Sequence, residues 1–216
     1  MEDFSTVTNY EVKSRSEFDD HNTVETLYYD VDGVLLDFSL AFADYWNEGV
    51  KTGIWKGNEI DKNPNTWSFG YQYGIDDMTE LNRALEIFHE THDHLQLVDP
   101  NIPRILNRLR KRYNIELVSS YPNENKRVQN LLHHKIPYNI LSCNVHDKVD
   151  HIRKREDNGY KVVAIFEDGP HHLEKLLPYY GGKIWSPGHW NYLIPMKHHT
   201  GIRFYISSCE WMILNN

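Results

Sequence analysis

Cysteine is nearly absent from this chain of 216 residues: Cys143 and Cys209 stand alone, with no CxxC and no framework spacing. That excludes a disulfide-stapled scaffold and suits a reducing compartment. No apolar run approaches the roughly 20 residues that span a bilayer, and the opening MEDFSTVTNYEVKSRSEF has no basic region leading into an apolar one. The expectation is a soluble, cytoplasmic protein with no membrane partner. Positive charge is in deficit too, with 23 Lys and Arg against 31 Asp and Glu and a formal net charge of -8. Wrapping a polyanion requires clustered cations that release counterions, so no stable nucleic-acid binding is expected. Small anionic ligands stay open, because a metal ion or one lysine reverses the field within a site. No internal repeat or low-complexity tract is visible.

Histidine, by contrast, is abundant: 13 residues, with pairs at His133-His134, His171-His172 and His198-His199. A zinc site is nevertheless not expected. HETHDH is not HExxH, His89 and His92 lack a third ligand at recognisable spacing, and adjacent histidines on a helix point apart.

The length fits one domain, or a core domain carrying an insertion. Residues 1-24 are polar and of mixed charge, which predicts an N-terminal arm. TLYYDV reads as a buried strand that turns at Gly33 and restarts as a helix through FSLAFADYW. From Gly49 to Tyr73 the pattern breaks into a Gly, Asn and aromatic mixture, and helical spacing returns in MTELNRALEIFHETHDHLQL and RILNRLRKRY. IELVSS, YNILSC, KVVAIFED, KIWSPG and RFYISS are further strand candidates. Between them lie helices beginning at Asn123, Asp147 and Gly169. Alternating strands and helices imply a parallel sheet with right-handed crossovers. The expected fold is therefore α/β, a Rossmann-like parallel sheet flanked by helices, with a small, mainly helical cap inserted after the first strand. Residues 25-41 and 101-216 form the core and 42-100 the cap.

In such a sheet, ligands gather beyond the carboxyl ends of the strands. Asp30 and Asp32 follow the first strand, Ser119 and Ser120 the second, and Glu167 and Asp168 the fourth; Lys148 opens the helix before the fourth. An aspartate with a pKa of roughly 3.9 is ionised at neutral pH and needs no base to become a nucleophile. Its difficulty is repulsion from an anionic electrophile, which a hard divalent cation on oxygen ligands relieves, typically Mg²⁺. Lys148 and the Ser119 hydroxyl would bind the remaining phosphoryl oxygens. A phosphomonoester is the natural substrate. Its direct hydrolysis is so slow that enzymes accelerate it by up to about 10²¹, and an aspartyl-phosphate splits it into two easier steps.

DVDGVLLDF, the strand-final serine of ELVSS, Lys148 and the acid pair of IFEDG, in this order, resemble the four signature motifs of the haloacid dehalogenase superfamily of phosphohydrolases. The resemblance runs from about Leu27 to Phe204, except across the insertion. It implies that Asp30 is the nucleophile and Asp32 the acid/base, with Ser119 on the transferring phosphoryl group and Ser120 beside it. It also implies that Lys148 holds nucleophile and phosphate together, and that Asp30, the Asp32 carbonyl and Asp168 hold Mg²⁺. Lys161 is the alternative to Lys148, and Glu167 the alternative to Asp168. An aspartate two positions beyond the nucleophile fits phosphate ester cleavage rather than carbon-halogen cleavage.

The insertion concentrates Tyr45, Trp46, Trp55, Trp67, Phe69, Tyr71 and Tyr73, and aromatic rings stack on bases for about 1 to 3 kcal/mol each. With SSYP, Asp147-Lys148 and EWMIL, this is similar to the 5'(3')-deoxyribonucleotidase branch of that superfamily. The resemblance implies a (deoxy)nucleoside monophosphate as small-molecule substrate, met by Phe38 and some of Trp46, Trp55, Trp67 and Phe69. For each cap aromatic, packing into the cap's own interior is the competing role. A sugar-phosphate phosphatase or phosphomutase, or a noncatalytic ligand-binding module, is the alternative function. A homodimer is allowed.

Overall fold

The computed structural model describes residues 23-60, 78-92, 94-187 and 201-205. Six strands form one sheet: β1 (Val24–Tyr29), β2 (Asn114–Val118), β3 (Ile140–Ser142), β4 (Tyr160–Phe166), β5 (Ile184–Pro187) and β6 (Ile202–Tyr205). The helices are α1 (Phe38–Lys51), α2 (Met78–Thr91), α3 (Ile102–Leu109), α4 (Glu124–His133), α5 (Lys148–Asp157) and α6 (Pro170–Tyr180). Residues 1-22 of the expected arm, Trp67, Phe69, Tyr71, Tyr73 and EWMIL lie outside the described residues, and Val24, placed at the end of that arm, opens β1.

Every strand pairing is parallel, in the order β3-β2-β1-β4-β5-β6. This is the expected Rossmann-like α/β sheet. The chain steps outward through β2 and β3, then returns to the other side of β1 to lay down β4. The direction of winding therefore reverses between β1 and β4, where an open α/β sheet leaves a crevice at its carboxyl edge. Tyr29 is level with Leu117 on one side and Phe166 on the other, so Asp30, Ser119 and Glu167 leave the sheet at nearly one height.

Successive side chains of β1 serve opposite faces. Leu27 and Tyr29 belong to an interior shared with α1, α2 and α3, and the Tyr29 ring stacks on Phe166 with centroids 4.1 Å apart. Tyr28 belongs to a second interior with Ile152 of α5 and Leu173 and Leu176 of α6. Side-chain caps start the helices that follow β1, β2 and β3. Asp37 accepts from the Leu40 N–H, Asn123 from Lys126 and Asp147 from Asp150. Each cap satisfies an N–H that the first turn leaves without a partner.

The expected cap boundary at 42 falls inside α1, which runs unbroken to Lys51. Its inner face carries Phe42 and Trp46, and the Trp46 ring lies parallel to Trp55 with centroids 6.1 Å apart. Asn47 fastens the following loop by exchanging two hydrogen bonds with the backbone of Ile60, at 3.0 and 2.6 Å. Leu81, Ala84 and Phe88 of α2 join the same interior as Leu27. The chain re-enters the core by pairing with the segment after β1: the Asp37 N–H donates to Gln96 O and the Val98 N–H to Leu35 O.

Candidate active site

The site is built where the winding reverses. Asp30 is fixed by its own N–H, which donates to Phe166 O at 2.8 Å, so the nucleophile candidate hangs directly between β1 and β4. Lys148, in the first turn of α5, places Nζ 2.6 Å from Asp30 Oδ1 and 2.6 Å from Glu167 Oε2. The other Glu167 oxygen accepts the Gly169 N–H, which leaves this carboxylate fully engaged by the protein. Asp168 comes from the neighbouring position. A ligand oxygen from each of Asp30, Glu167 and Asp168 lies within 4.8 Å of the others, and all three residues are buried.

The turn after β1 is shaped around this cluster. Gly33 adopts φ +77, and a Cβ there would stand 1.9 Å from Asp168 Oδ2. Glycine supplies both the left-handed backbone and the empty space. One turn of chain, with the Leu35 and Leu36 N–H groups donating to Val31 O, then delivers Asp37 to its capping position. The three aspartates of DVDGVLLDF therefore have separate tasks.

Burial changes the electrostatics that the sequence suggests. The Asp30 carboxyl is pushed up to about 7, first by desolvation and then by the charges of Glu167 and Asp32, with Lys148 opposing. Asp168 is held well above the usual carboxylate range for the same reasons. Desolvation by itself would lower Lys148, but Asp30 and Glu167 outweigh it and hold the ammonium above its ordinary range. Three buried carboxylates face one lysine. A hard divalent cation fits this all-oxygen donor set.

Of the two lysine candidates, Lys161 lies at the opposite end of the sheet, where it is exposed and pairs with Glu25 at 3.0 Å. Ser119 is fully buried; its hydroxyl accepts the Tyr121 N–H, and its backbone joins Ser142 and Val145. The Ser120 hydroxyl points elsewhere and donates to Val145 O. Phe38, half-buried at the start of α1, meets the rings of Phe42, Phe88 and His89. Trp46 and Trp55 are 0% and 6% exposed, their rings turned into the interior, so the structure gives them the packing role instead of substrate contact.

Sequence reasoning missed Arg127. It lies on the inner face of α4, fully buried, with Nη2 donating to Asp32 Oδ2 at 2.5 Å. The available signal was its spacing: Arg127, Asn130 and Leu131 fall at i, i+3 and i+4, one face of the helix. Tyr121 and His89 were missed as well. Their rings are 4.5 Å apart, and the Tyr121 hydroxyl donates to His89 O, joining the end of α2 to the loop after β2.

No protein-family model and no curated protein matches the sequence. Solved structures do. A hydrolase of the haloacid dehalogenase-like family from Streptococcus pneumoniae superposes with a TM-score of 0.61 at 13% identity, covering 89% of this chain and 99% of the other. The chain has the haloacid dehalogenase-like fold. A proposed β-phosphoglucomutase from Thermotoga maritima superposes with a TM-score of 0.57 at 17% identity, over 89% and 98% of the two chains. For a proposed phosphoglycolate phosphatase from Haemophilus somnus the score is 0.62 at 12% identity, over 89% and 98%. The haloacid dehalogenase-like match thus extends over most of the chain. Among the described residues, no helix is long and apolar enough to cross a membrane.

Proposed function

We propose that this protein is a divalent-metal-dependent phosphomonoesterase that works through an aspartyl-phosphate on Asp30. The observation that carries the reading is Lys148, buried at 2.6 Å from both Asp30 and Glu167 with Asp168 alongside, at the carboxyl edge where β1 and β4 diverge. A nucleophilic carboxylate, a fixed ammonium and further acids for a cation are what phosphoryl transfer requires of a protein. Asp30, Asp168 and the backbone carbonyl of Asp32 would hold the metal, Mg²⁺ by preference. Its charge would favour the ionised form of Asp30 and offset repulsion from the phosphate.

The remaining chemistry belongs to side chains. An Asp30 oxygen attacks phosphorus while the ester bond breaks, and Asp32 delivers a proton to the leaving oxygen. Water then attacks the phosphoryl group as Asp32 takes back a proton, the bond to Asp30 breaks, and inorganic phosphate leaves. Lys148 neutralises the anionic oxygens throughout, and the Ser119 hydroxyl offers them its proton. Ser120, bonded to Val145 O, stiffens the same loop.

The substrate we favour is a nucleoside monophosphate. Phe38 and His89 are half-buried and form an aromatic edge beside Asp32, Arg127 and Tyr121, suited to a flat ring. A sugar phosphate is the second reading, favoured by the loss of Trp46 and Trp55 to the interior. Phosphate release from deoxyribonucleotides, ribonucleotides and hexose phosphates, with and without Mg²⁺, separates the two. Release confined to hexose phosphates would overturn the nucleotide assignment, and an active Asp30→Asn variant would overturn the mechanism.

A further inference from the structure

Arg127 is fully buried, yet it is poorly repaid for it. Nη2 reaches Asp32 Oδ2 at 2.5 Å and the Tyr121 ring lies 4.1 Å from the guanidinium carbon. Nε and Nη1 are buried without any hydrogen-bond partner, and so is Asp32 Oδ1. A buried ion pair stabilises a fold only when its remaining donors and acceptors are satisfied, and apolar residues of similar volume often do better. Stability is therefore a poor reason for an arginine here.

Geometry supplies a better one. Asp32 sits in the turn after β1 and not within a strand, and no other charged group reaches its carboxylate among the described residues. Arg127 holds Oδ2, and Oδ1 is buried without a partner, so this one ion pair fixes how the carboxyl group is turned. We propose that Arg127 is a positioning residue that clamps Asp32 by Oδ2 and so orients its carboxyl group to carry the proton to and from the ester oxygen. The assignment rests on the phosphomonoesterase reading. In the first half-reaction the proton on the Asp32 carboxyl passes to the leaving oxygen as the Asp30–phosphorus bond forms and the ester bond breaks. In the second, the Asp32 carboxylate receives a proton from the attacking water as the Asp30–phosphorus bond breaks. The guanidinium neither gains nor loses a proton.

The test compares two esters by kcat/KM, which reports the steps through release of the first product. An alkyl phosphate needs its leaving oxygen protonated, whereas p-nitrophenyl phosphate does not. Arg127→Met should lower kcat/KM for the alkyl ester about 100-fold, the range of a lost general acid. The loss on the aryl ester should be at least tenfold smaller, and Arg127→Lys, which keeps the buried cation but not the fork, should fall between. Added to Asp32→Asn, the Arg127→Met change should cost less than about twofold more on the alkyl ester, since residues acting as one unit are not additive. Equal losses on the two esters, in either variant, would make Arg127 a structural residue and overturn the proposal. Additive losses in the double variant would do the same. An unaltered chain inactive on both esters would instead overturn the phosphatase reading itself, and the assignment with it.

Discussion

Replacing Lys148 by methionine is the most direct perturbation of this site. The lysine is 4% exposed and stands between two carboxylates at 2.6 Å each, with Asp168 completing the group. Methionine keeps the stem and its packing but removes the charge. Deleting one partner of a buried pair costs about 3–5 kcal/mol, because the other charge is left unpaired. Three acids are left here, which places the loss near 4 kcal/mol, or roughly 8–16 °C in Tm for a chain of this size.

The loss should depend on pH in one direction. Even with the lysine present, burial raises Asp30 from 3.8 to about 7. A group whose folded pKa lies above its unfolded value binds more protons in the folded chain, so stability falls as pH rises between the two. Without Lys148 the carboxylates rise further, and the deficit widens toward pH 8. Thermal unfolding of both chains at pH 5.5 and pH 8 measures it directly. Millimolar Mg²⁺ should return more stability to the variant than to the unaltered chain, through binding to the folded state alone. A Tm at pH 8 within 2 °C of the original, or a deficit that does not change with pH, would refute the charge balance argued for this cluster.

Three further outcomes follow from the geometry. Gly33→Ala puts a methyl 1.9 Å from Asp168 Oδ2 at φ +77; the backbone alone costs about 1–2 kcal/mol, and Mg²⁺ affinity by calorimetry should fall at least tenfold. Unchanged affinity would detach Asp168 from the metal site. His172 is pushed down to about 2 by burial, with Lys148 and His171 adding to the effect. It is neutral when folded and charged when unfolded below about pH 6.5, so stability should fall on acidification by about 2 kcal/mol at pH 5. Urea titrations of His172→Gln should show that slope flattened, and an unaltered slope would assign acid sensitivity elsewhere. Phe38→Ala should raise KM for a nucleoside monophosphate about tenfold, the value of one lost stacking contact, and spare glycerol phosphate; equal rises would remove the base from the Phe38 edge.

The parallel sheet and the acids at its carboxyl edge were legible because strand ends are marked locally. An apolar run that stops at an acid, as in TLYYD and AIFED, shows both the element and the exit point. Lys148 could be placed because its partner strand was readable, whereas Lys161 opens that strand at the wrong end. Arg127 was not legible as a site residue. Its partner Asp32 is 95 positions earlier, and no local pattern connects a helix face to a distant turn. Glu116 was hidden similarly: inside ELVSS it looks like an edge residue, but it is fully buried and bonded to His151 and Arg155 at 2.7 and 2.9 Å. Partners supplied by α5 make that burial tolerable, and their direction depends on the crossover geometry.

Trp46 and Trp55 show that aromatic composition alone does not mark a binding surface. A short segment docked on a sheet needs bulky side chains simply to fill the volume between them, and tryptophan fills the most. Trp46 and Trp55 accordingly close the space under α1, with Gly49 lacking the Cβ that would stand 1.9 Å from the Trp55 ring. On the proposed reading, contact with substrate falls to rings at the margin of that packing, and among the described residues Phe38 and His89 are a half-buried pair in ring contact. Their identity is constrained by reach from the phosphate site more than by aromatic richness. A search for specificity residues in this chain should therefore begin at the start of α1 and the end of α2, where these two rings meet.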